Sequence, residues 1–197
     1  MEARLQATAE PRSDNRDDEQ PSLSRVYTMV SLVVIPAWAG VIALAQATPT
    51  AVRSPTVLLG PMFAVVLVTA VVFFLMLFAR HIAILTRRAQ LAFFKTFDAK
   101  LQPAPWVERP AQTFNNLMQT PTVFYAMGAL MIHTGLVDSV QLSLAWAYAA
   151  SRWVHAVVLV GWNDVKWRFA AAFIGFISLG IILYRFAVQS YPLWQPF

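Results

Sequence analysis

The sequence predicts an all-α integral membrane protein. Hydrophobic residues make up 58% of its 197 residues and charged residues only 13%, against about 45 to 50% and about 25% in a typical soluble domain. Five apolar segments follow the first 25 residues, each close to the ~20 residues that a helix needs to cross a bilayer. The basic residues collect between these segments, a placement that orients membrane proteins. We therefore expect neither a soluble fold nor nucleic-acid binding, despite the net charge of +5.

The N-terminal segment 1–24 differs from the rest of the chain. It holds six acidic and three basic residues among Pro, Ser and Gln, which is typical of a disordered tail. It lacks the basic start and short apolar core of a cleavable signal peptide, so we expect the first apolar segment to be a retained span. The chain has no cysteine, which excludes a disulfide framework and a thiol nucleophile.

The five apolar segments predict five transmembrane helices, with the two termini on opposite sides of the membrane. They cover approximately residues 26–47, 57–79, 117–136, 140–161 and 169–189. The link 80–113 carries six basic and two acidic residues, and the link before the last span carries Lys166 and Arg168. Because cytoplasmic loops are rich in Lys and Arg, we expect these links and the N-terminus inside and the C-terminus outside.

The link 80–113 allows two interpretations. In one, the second span extends as a helix into the cytoplasm, and the chain then turns at Pro103, Pro105 and Pro110. In the other, a segment that includes Phe93 lies on the lipid headgroups as an amphipathic helix. The residues favour neither.

Polar residues in the third and fourth spans predict a pocket in the cytoplasmic half of the membrane. Arg152 lies near the middle of the fourth span, where a charge costs at least ~2.5 kcal/mol, so it should face the protein interior. At a rise of ~1.5 Å per residue, Arg152 lies about 14 Å, His155 about 9 Å and Gln119 about 5 to 8 Å from the cytoplasmic boundary. The residues that could converge on an anionic or strongly polar ligand are Asn116, Gln119, Arg152, His155, Asn163 and Arg168.

These residues also allow a structural interpretation, since polar pairs between helices are common packing devices in membranes. A charge within a membrane is by default a functional-site hypothesis, which favours a functional role for Arg152. Arg185 lies within about a turn of the outer boundary, and we interpret it as a structural residue whose side chain reaches water. The histidines lack the spacing of metal ligands, so we predict no metal site.

Two blocks of sequence resemble a known family. The first reads FNNLMQTPTVFY from Phe114, and the second reads LAWAY from Leu144 and continues through Arg152, His155, Asn163, Val165 and Arg168. Both blocks are similar to the bacterial branch of the MAPEG proteins, the membrane-associated proteins in eicosanoid and glutathione metabolism. The family patterns are N-F-x-N-L-F-E-x-P-x-L-F-Y and L-A-W-x-[FY] … R-x-x-H … N-x-V-x-x-R. The resemblance covers about residues 57–189 and leaves the first span outside it.

The resemblance implies a four-helix membrane bundle that assembles as a homotrimer. It further implies that the catalytic members bind glutathione between neighbouring subunits on the cytoplasmic side. It makes Arg152 and Arg168 candidate stabilisers of a glutathione thiolate, since lowering a thiol pKa near ~8.5 requires nearby positive charge or donors. The candidate contacts of glutathione as co-substrate are Asn116, Gln119, Arg152, His155 and Asn163.

The sequence also departs from the family pattern. A Glu normally stands where this chain has Gln119, and an Arg where it has Gln112. The second of two Tyr or His positions after the helical Arg is Leu159. Because charge-assisted hydrogen bonds are roughly twice as strong as neutral ones, these changes weaken the implied glutathione site.

These observations predict a chain with four parts. They are an acidic cytoplasmic tail at 1–24, an extra transmembrane helix and loop at 25–56, a MAPEG-like four-helix domain at 57–189 and a C-terminal tail at 190–197. The predicted function is a structural or accessory membrane subunit with a degenerate glutathione site, in the inner membrane of a bacterium. The alternative is a glutathione-dependent transferase or peroxidase that acts on lipophilic substrates. A transporter or channel is disfavoured, because the polar groups gather toward one side of the membrane.

Overall fold

The computed structural model is an all-α bundle of four long helices, which confirms the predicted fold class. It describes residues 28, 31–32, 35–36, 39–40, 42–43, 46–52, 54–96 and 102–194. Within this part of the chain there is no β-strand, and an isolated bridge joins Ala51 to Asp138. The α-helices are α1 (Leu59–Leu85), the short α2 (Leu91–Thr96), α3 (Pro105–Thr134), α4 (Ser139–Val160) and α5 (Val165–Ser190), with 3₁₀ turns at Pro55–Leu58 and Tyr191–Trp194.

The first predicted span and the tail before it lie mostly outside the described residues. Segment 1–24 is entirely outside, and so are most positions of 26–47, although the described residues from Thr28 to Gln46 are helical and exposed. Of the predicted C-terminal tail, residues 195–197 lie outside. The division of the chain into four parts therefore stays a prediction.

Side-chain caps begin the helices of the C-terminal half. Asp138 accepts a hydrogen bond from the backbone N–H of Gln141, whose side chain accepts one from the backbone N–H of Asp138. This reciprocal capping box satisfies two N–H groups that the first helical turn leaves without partners. Asp164 caps α5 through its own side chain alone, accepting from the N–H groups of Lys166 and Trp167.

The third helix begins 12 residues before the predicted start at 117. Pro105 occupies its first turn, and Pro110 and Pro121 lie inside it. The predicted turn at Pro110 is therefore wrong, whereas Pro105 does mark a boundary, since a proline is pre-organised for the first helical position and lacks only an N–H that is unpaired there anyway. Of the two interpretations of the link 80–113, the first is supported in that α1 continues to Leu85, six residues past the predicted span. The separate helix α2 contains Phe93, and its contact with the lipid headgroups stays a prediction.

Small residues and one indole let α1 pack closely on its neighbours. Gly60 lies against the ring of Trp146 in α4, and Gly128 in α3 lies against Met62. The indole Nε1 of Trp153 donates to the backbone carbonyl of Ala64 at 2.9 Å. Helix α5 packs most extensively on α4, so α4 is central to the bundle and its polar residues are enclosed.

Among the described residues, two helical segments are long and apolar enough to cross a membrane by length and composition, Pro55–Leu85 and Val165–Leu193. Helix α1 presents a wide apolar surface away from the bundle, with Phe63, Phe74 and Phe78 each more than half exposed. Exposed aromatic side chains of this density suit a lipid environment rather than water. Helices α3, α4 and α5 and the loop between α4 and α5 carry the polar residues described below.

The loop before α1 and the loop between α3 and α4, which carry few basic residues, lie at the same end of the bundle. The backbone N–H of Thr50 donates to the hydroxyl of Ser139, and the N–H of Ser139 donates to the carbonyl of Thr50, both at 3.0 Å. The described parts of the link after α1, 86–96 and 102–104, and the loop 161–164, which directly precedes Lys166 and Arg168, lie at the opposite end. This arrangement agrees with the alternation of basic and neutral loops.

Candidate functional site

Arg152 is buried between three helices, with 2% of its surface exposed. Its Nη2 donates to the backbone carbonyls of Ala172 at 3.2 Å and Ala171 at 3.5 Å in α5, and its Nη1 donates to the Thr120 hydroxyl in α3 at 3.5 Å. Its guanidinium carbon also lies 5.2 Å from the centre of the Tyr148 ring, within the range of a cation–π contact. Arg152 thus faces the protein interior, as its cost in lipid predicts.

Gly175 in α5 makes room for this guanidinium. A Cβ atom at position 175 would clash with Nη2 of Arg152, and it would lie 2.9 Å from Cζ of Arg152 and 2.5 Å from the hydroxyl of Ser151. Side-chain atoms never approach so closely, so any other residue at 175 would displace the arginine. The α4–α5 interface is therefore shaped around Arg152.

A second set of contacts lies one to two turns nearer the basic loops; we call it the His155 cluster, consisting of His155, Asn163 and Arg168. The Nδ1 of His155 lies 3.1 Å from the carbonyl oxygen of Arg168, so Nδ1 carries the proton and donates. The Nη1 of Arg168 donates to the side-chain oxygen of Asn163 at 2.8 Å. Asn163 adopts a left-handed backbone with φ of 57°, which asparagine tolerates better than most residues.

The His155 cluster retains unused hydrogen-bonding capacity. Nε2 of His155 and Nε of Arg168 are buried atoms with no hydrogen-bond partner within the described residues. Buried polar atoms are nearly always paired, with protein or with water, so such atoms mark either an unseen water or a ligand. The cluster could accept one bond at His155 and donate one at Arg168.

Asn116 and Gln119 lie apart from Arg152. Gln119 is exposed on α3, Asn116 is partly exposed, and among the described residues neither is hydrogen-bonded to Arg152 or to the His155 cluster. With Gln112, also exposed, they follow the i, i+4, i+7 spacing of one helix face. The six predicted site residues therefore form separate groups within one chain: the buried Arg152, the His155 cluster and an outward amide face on α3.

Arg109 is a contact that the sequence did not predict, because it was assigned to a loop. It lies in the second turn of α3, and its Nη1 donates to the carbonyl of Gly161 at the end of α4 at 2.7 Å. It thereby fixes the start of the loop that carries Asn163. Recognising the helical character of 105–116 would have placed Arg109 near this loop.

A second unpredicted group, the Asp138 cluster, lies at the opposite end and consists of Asp138, Gln141, Arg185 and Gln189. Nη2 of Arg185 and Nε2 of Gln189 donate to Oδ2 of Asp138 at 2.7 and 2.8 Å, and Nε2 of Gln141 donates to Oε1 of Gln189 at 2.9 Å. Arg185 thus pairs with a carboxylate instead of reaching for water, which corrects the sequence interpretation. Burial raises the pKa of Asp138, but the hydrogen bonds from Arg185, the Gln141 backbone and Gln189, with the charge of Arg185, outweigh it and hold that pKa below 3.8.

The comparisons with known proteins agree with this architecture. Curated proteins and solved structures give no significant match to the chain. The model of the MAPEG family matches residues 64–188, which is well over half of the chain and includes α3, α4 and nearly all of α1 and α5. The chain therefore belongs to the MAPEG family, and it is an all-α integral membrane protein related to glutathione and eicosanoid metabolism.

Proposed function

We propose that this protein is a structural or accessory membrane subunit whose glutathione site is degenerate. The observation that carries the proposal is the engagement of Arg152 with its own chain. Its Nη1 and Nη2 groups donate to Thr120 and to the carbonyls of Ala171 and Ala172, and Gly175 encloses it. A ligand could recruit this guanidinium only by breaking the α4–α5 contact.

The outward face of α3 supports the same proposal. Gln112 and Gln119 stand where family members carry Arg and Glu, so a tripeptide would meet neutral amides in place of two opposite charges. Hydrogen bonds to charged groups contribute about 1.5 to 3 kcal/mol, against about 1 kcal/mol for neutral ones. The loss of both charges is expected to weaken glutathione binding by at least about tenfold.

The same face supports an oligomer or a complex. Gln112 and Gln119 are exposed on one chain, although exposed amides are unfavourable against lipid and are found in helix interfaces. A second copy of the chain, in a trimer as the family resemblance implies, or another membrane protein would cover them. The basic links at one end further support an inner-membrane orientation with the N-terminus in the cytoplasm and the C-terminus outside.

The alternative function is a glutathione-dependent transferase or peroxidase, and the His155 cluster favours it. The buried Nε2 of His155 and Nε of Arg168 have no hydrogen-bond partner within the described residues. Asn163 already orients the guanidinium of Arg168. A cation held in this way could stabilise a glutathione thiolate, without any contribution from Arg152.

Glutathione binding to the purified protein separates the two functions. Calorimetry would compare the wild type with Arg168→Gln, with Lys166→Gln as a control that removes one positive charge nearby, and conjugation of a generic electrophile would be measured in parallel. The accessory subunit predicts no saturable binding below millimolar glutathione and no conjugation. Micromolar binding and turnover that Arg168→Gln abolishes and Lys166→Gln preserves would establish the enzyme instead.

A gain-of-function variant tests why the site is degenerate. The double substitution Gln112→Arg and Gln119→Glu restores both charges of the family pattern, and we expect glutathione binding to strengthen by about tenfold or more.

Mild-detergent extraction from native membranes tests the accessory role. Migration of the protein solely as an isolated homo-oligomer, with no further protein present, would contradict that role.

A further inference from the structure

Helix α1 combines a groove along its middle with a cation nearer its end, Arg80, that has no carboxylate partner within the described residues. The groove lies between α1 and α3, has a volume of about 430 Å³, and is lined by side chains that include Val66, Thr69, Phe73, Phe114, Leu117 and Met118. Almost all of these are apolar. Arg80 lies on the same helix and takes no part in the glutathione site proposed above.

Arg80 stands directly beyond the open groove on the same helix face. Residues seven apart on an α-helix point in nearly the same direction, and the rise from Phe73 to Arg80 is about 10 Å. Phe73 and Phe114 form the wall of the groove at this end, with ring centres 5.5 Å apart. An amphiphile whose chain occupies the groove would thus place its polar head beside Arg80.

The depth of this arrangement matches one leaflet. Leu85 is 78% exposed and Ile82 50% exposed, so the apolar surface of α1 reaches almost to the end of the helix. Thr69 lies about 16 Å below Arg80 along the axis, close to half of the ~30 Å hydrocarbon thickness. The groove therefore spans the acyl region of one leaflet, and Arg80 stands near its polar boundary.

Arg80 is held in place for an anion. Its guanidinium carbon lies 5.3 Å from the centre of the Phe94 ring in α2, and its buried Nε has no hydrogen-bond partner within the described residues. A half-buried guanidinium at a membrane boundary, with no carboxylate partner in the part of the chain that the structure describes, is well matched to a phosphate oxygen.

The end of α1 adds positive charge at the level of the headgroups. Arg87 adopts a left-handed backbone with φ of 55°, and the N–H groups of Arg87 and Arg88 donate to the carbonyls of Ile84 and Ala83. This is the Schellman ending, in which glycine usually occupies the position of Arg87. An arginine here costs conformational energy, and it places two adjacent cations next to the exposed Leu85.

We propose that the α1–α3 groove and Arg80 form a binding site for an anionic phospholipid, with one acyl chain in the groove and the phosphate at Arg80. Arg87, Arg88 and Lys95 supply the surrounding positive potential, which attracts anionic headgroups. Several cations around one position favour a phosphate-bearing headgroup over the single carboxylate of a fatty acid. The occupant is therefore a lipid of the bilayer itself.

Native mass spectrometry of the protein from nanodiscs tests this proposal. The discs contain equal amounts of phosphatidylglycerol and phosphatidylcholine, and the wild type is expected to retain phosphatidylglycerol preferentially. Arg80→Gln should reduce its retention about tenfold, while the matched control Lys166→Gln, which removes a charge at the same end but away from the groove, should retain it. Equal retention by the two variants, or equal retention of the two lipids, would overturn the proposal.

The position of the acyl chain needs a second measurement that does not depend on a variant. Phosphatidylglycerol with a photoreactive acyl chain should label wild-type protein at Phe73, Phe114 or Met118. Labelling confined to the outer face of α1, at residues such as Phe74 and Phe78, would place the lipid outside the groove and overturn the proposal. A photoreactive fatty acid that labels the groove equally well would overturn the choice of phospholipid.

The groove could instead be covered by a second copy of the chain. A single-cysteine variant distinguishes this from a bound lipid. The chain has no native cysteine, so Phe73→Cys introduces the only thiol. Modification of this thiol by a lipid-soluble maleimide in the membrane is the expected result. Efficient disulfide formation between two copies at position 73 would show protein, not lipid, over the groove and would overturn the proposal.

Discussion

The two ends of the bundle differ in the conformation of their turns and in the hydrogen bonding of their buried polar groups. At the Asp138 end, the α3–α4 turn uses Gly135 at φ of 74°, and the Asp138 carboxylate accepts three hydrogen bonds. At the opposite end, Arg87 and Asn163 adopt left-handed conformations without being glycine. Nε2 of His155 and Nε of Arg168 are buried there without hydrogen-bond partners within the described residues. Because strain and unmet hydrogen-bonding capacity accumulate at functional sites, we propose that the first end mainly stabilises the fold and that binding takes place at the second.

The largest loss of stability is expected from Asp138→Ala. It removes the helix cap of α4 and the carboxylate partner of Arg185 together, and the two losses should lower the free energy of unfolding by about 3 kcal/mol. Asp138→Asn is the matched variant, because asparagine still caps a helix but carries no charge, and its loss should be clearly smaller. Unfolding in mixed micelles followed by circular dichroism measures both. Equal losses would show that the charge contributes nothing.

Gly175→Ala is expected to have the next largest effect. The added methyl group would displace Arg152 and Ser151 from the α4–α5 interface, and overpacking of this kind costs about 2 kcal/mol. Gly180→Ala is its control on the same helix, since a Cβ there meets nothing within 4 Å. That control should be neutral or stabilising by up to ~1 kcal/mol. Thermal unfolding of the two variants under one set of conditions makes the comparison.

Acid should weaken the Asp138 end. Because the folded pKa of Asp138 lies below 3.8, the unfolded chain binds more protons near that pH, and the stability that this carboxylate contributes is present above the unfolded pKa. It is lost as the pH falls through the folded pKa. The apparent melting temperature should therefore fall below about pH 4, and Asp138→Asn should flatten this part of the profile. An unchanged slope in the variant would assign acid sensitivity to other groups.

The smallest effect is a gain of stability at the opposite end. Arg87→Gly relieves a left-handed conformation that costs an L-residue about 1 to 2 kcal/mol, although glycine loses more backbone entropy on folding. We expect a net gain of about 0.5 kcal/mol. Arg88→Gly removes the same charge without relieving strain and should not stabilise. Chemical denaturation of the two variants distinguishes strain from charge.

Much of the fold could be predicted from hydropathy, because a membrane helix must satisfy its backbone internally and be apolar over about 20 residues. The predicted segments 57–79, 140–161 and 169–189 each fall almost entirely within one observed helix. The predicted start of α3 was wrong, because prolines near a helix start were interpreted as turns. Their missing N–H groups cost little in the first helical turn.

The candidate site was less predictable, because sequence spacing places residues on a helix face without choosing their neighbours. Arg152 could be predicted as buried from its cost in lipid. Its partners Ala171 and Ala172 contribute backbone carbonyls, which leave no signature in a sequence. The Asp138–Arg185 pair joins residues 47 positions apart, and neither residue stands in a motif that would connect them.

The space that Gly175 leaves for the Arg152 guanidinium has an evolutionary consequence. A side chain at this position and the guanidinium of Arg152 compete for one volume, so neither position can drift alone. Homologues that keep the arginine should keep the glycine, and those that lose the arginine become free to enlarge position 175. We therefore expect substitutions at positions 152 and 175 to be correlated among homologues, which would show in which lineages the buried arginine has been retained.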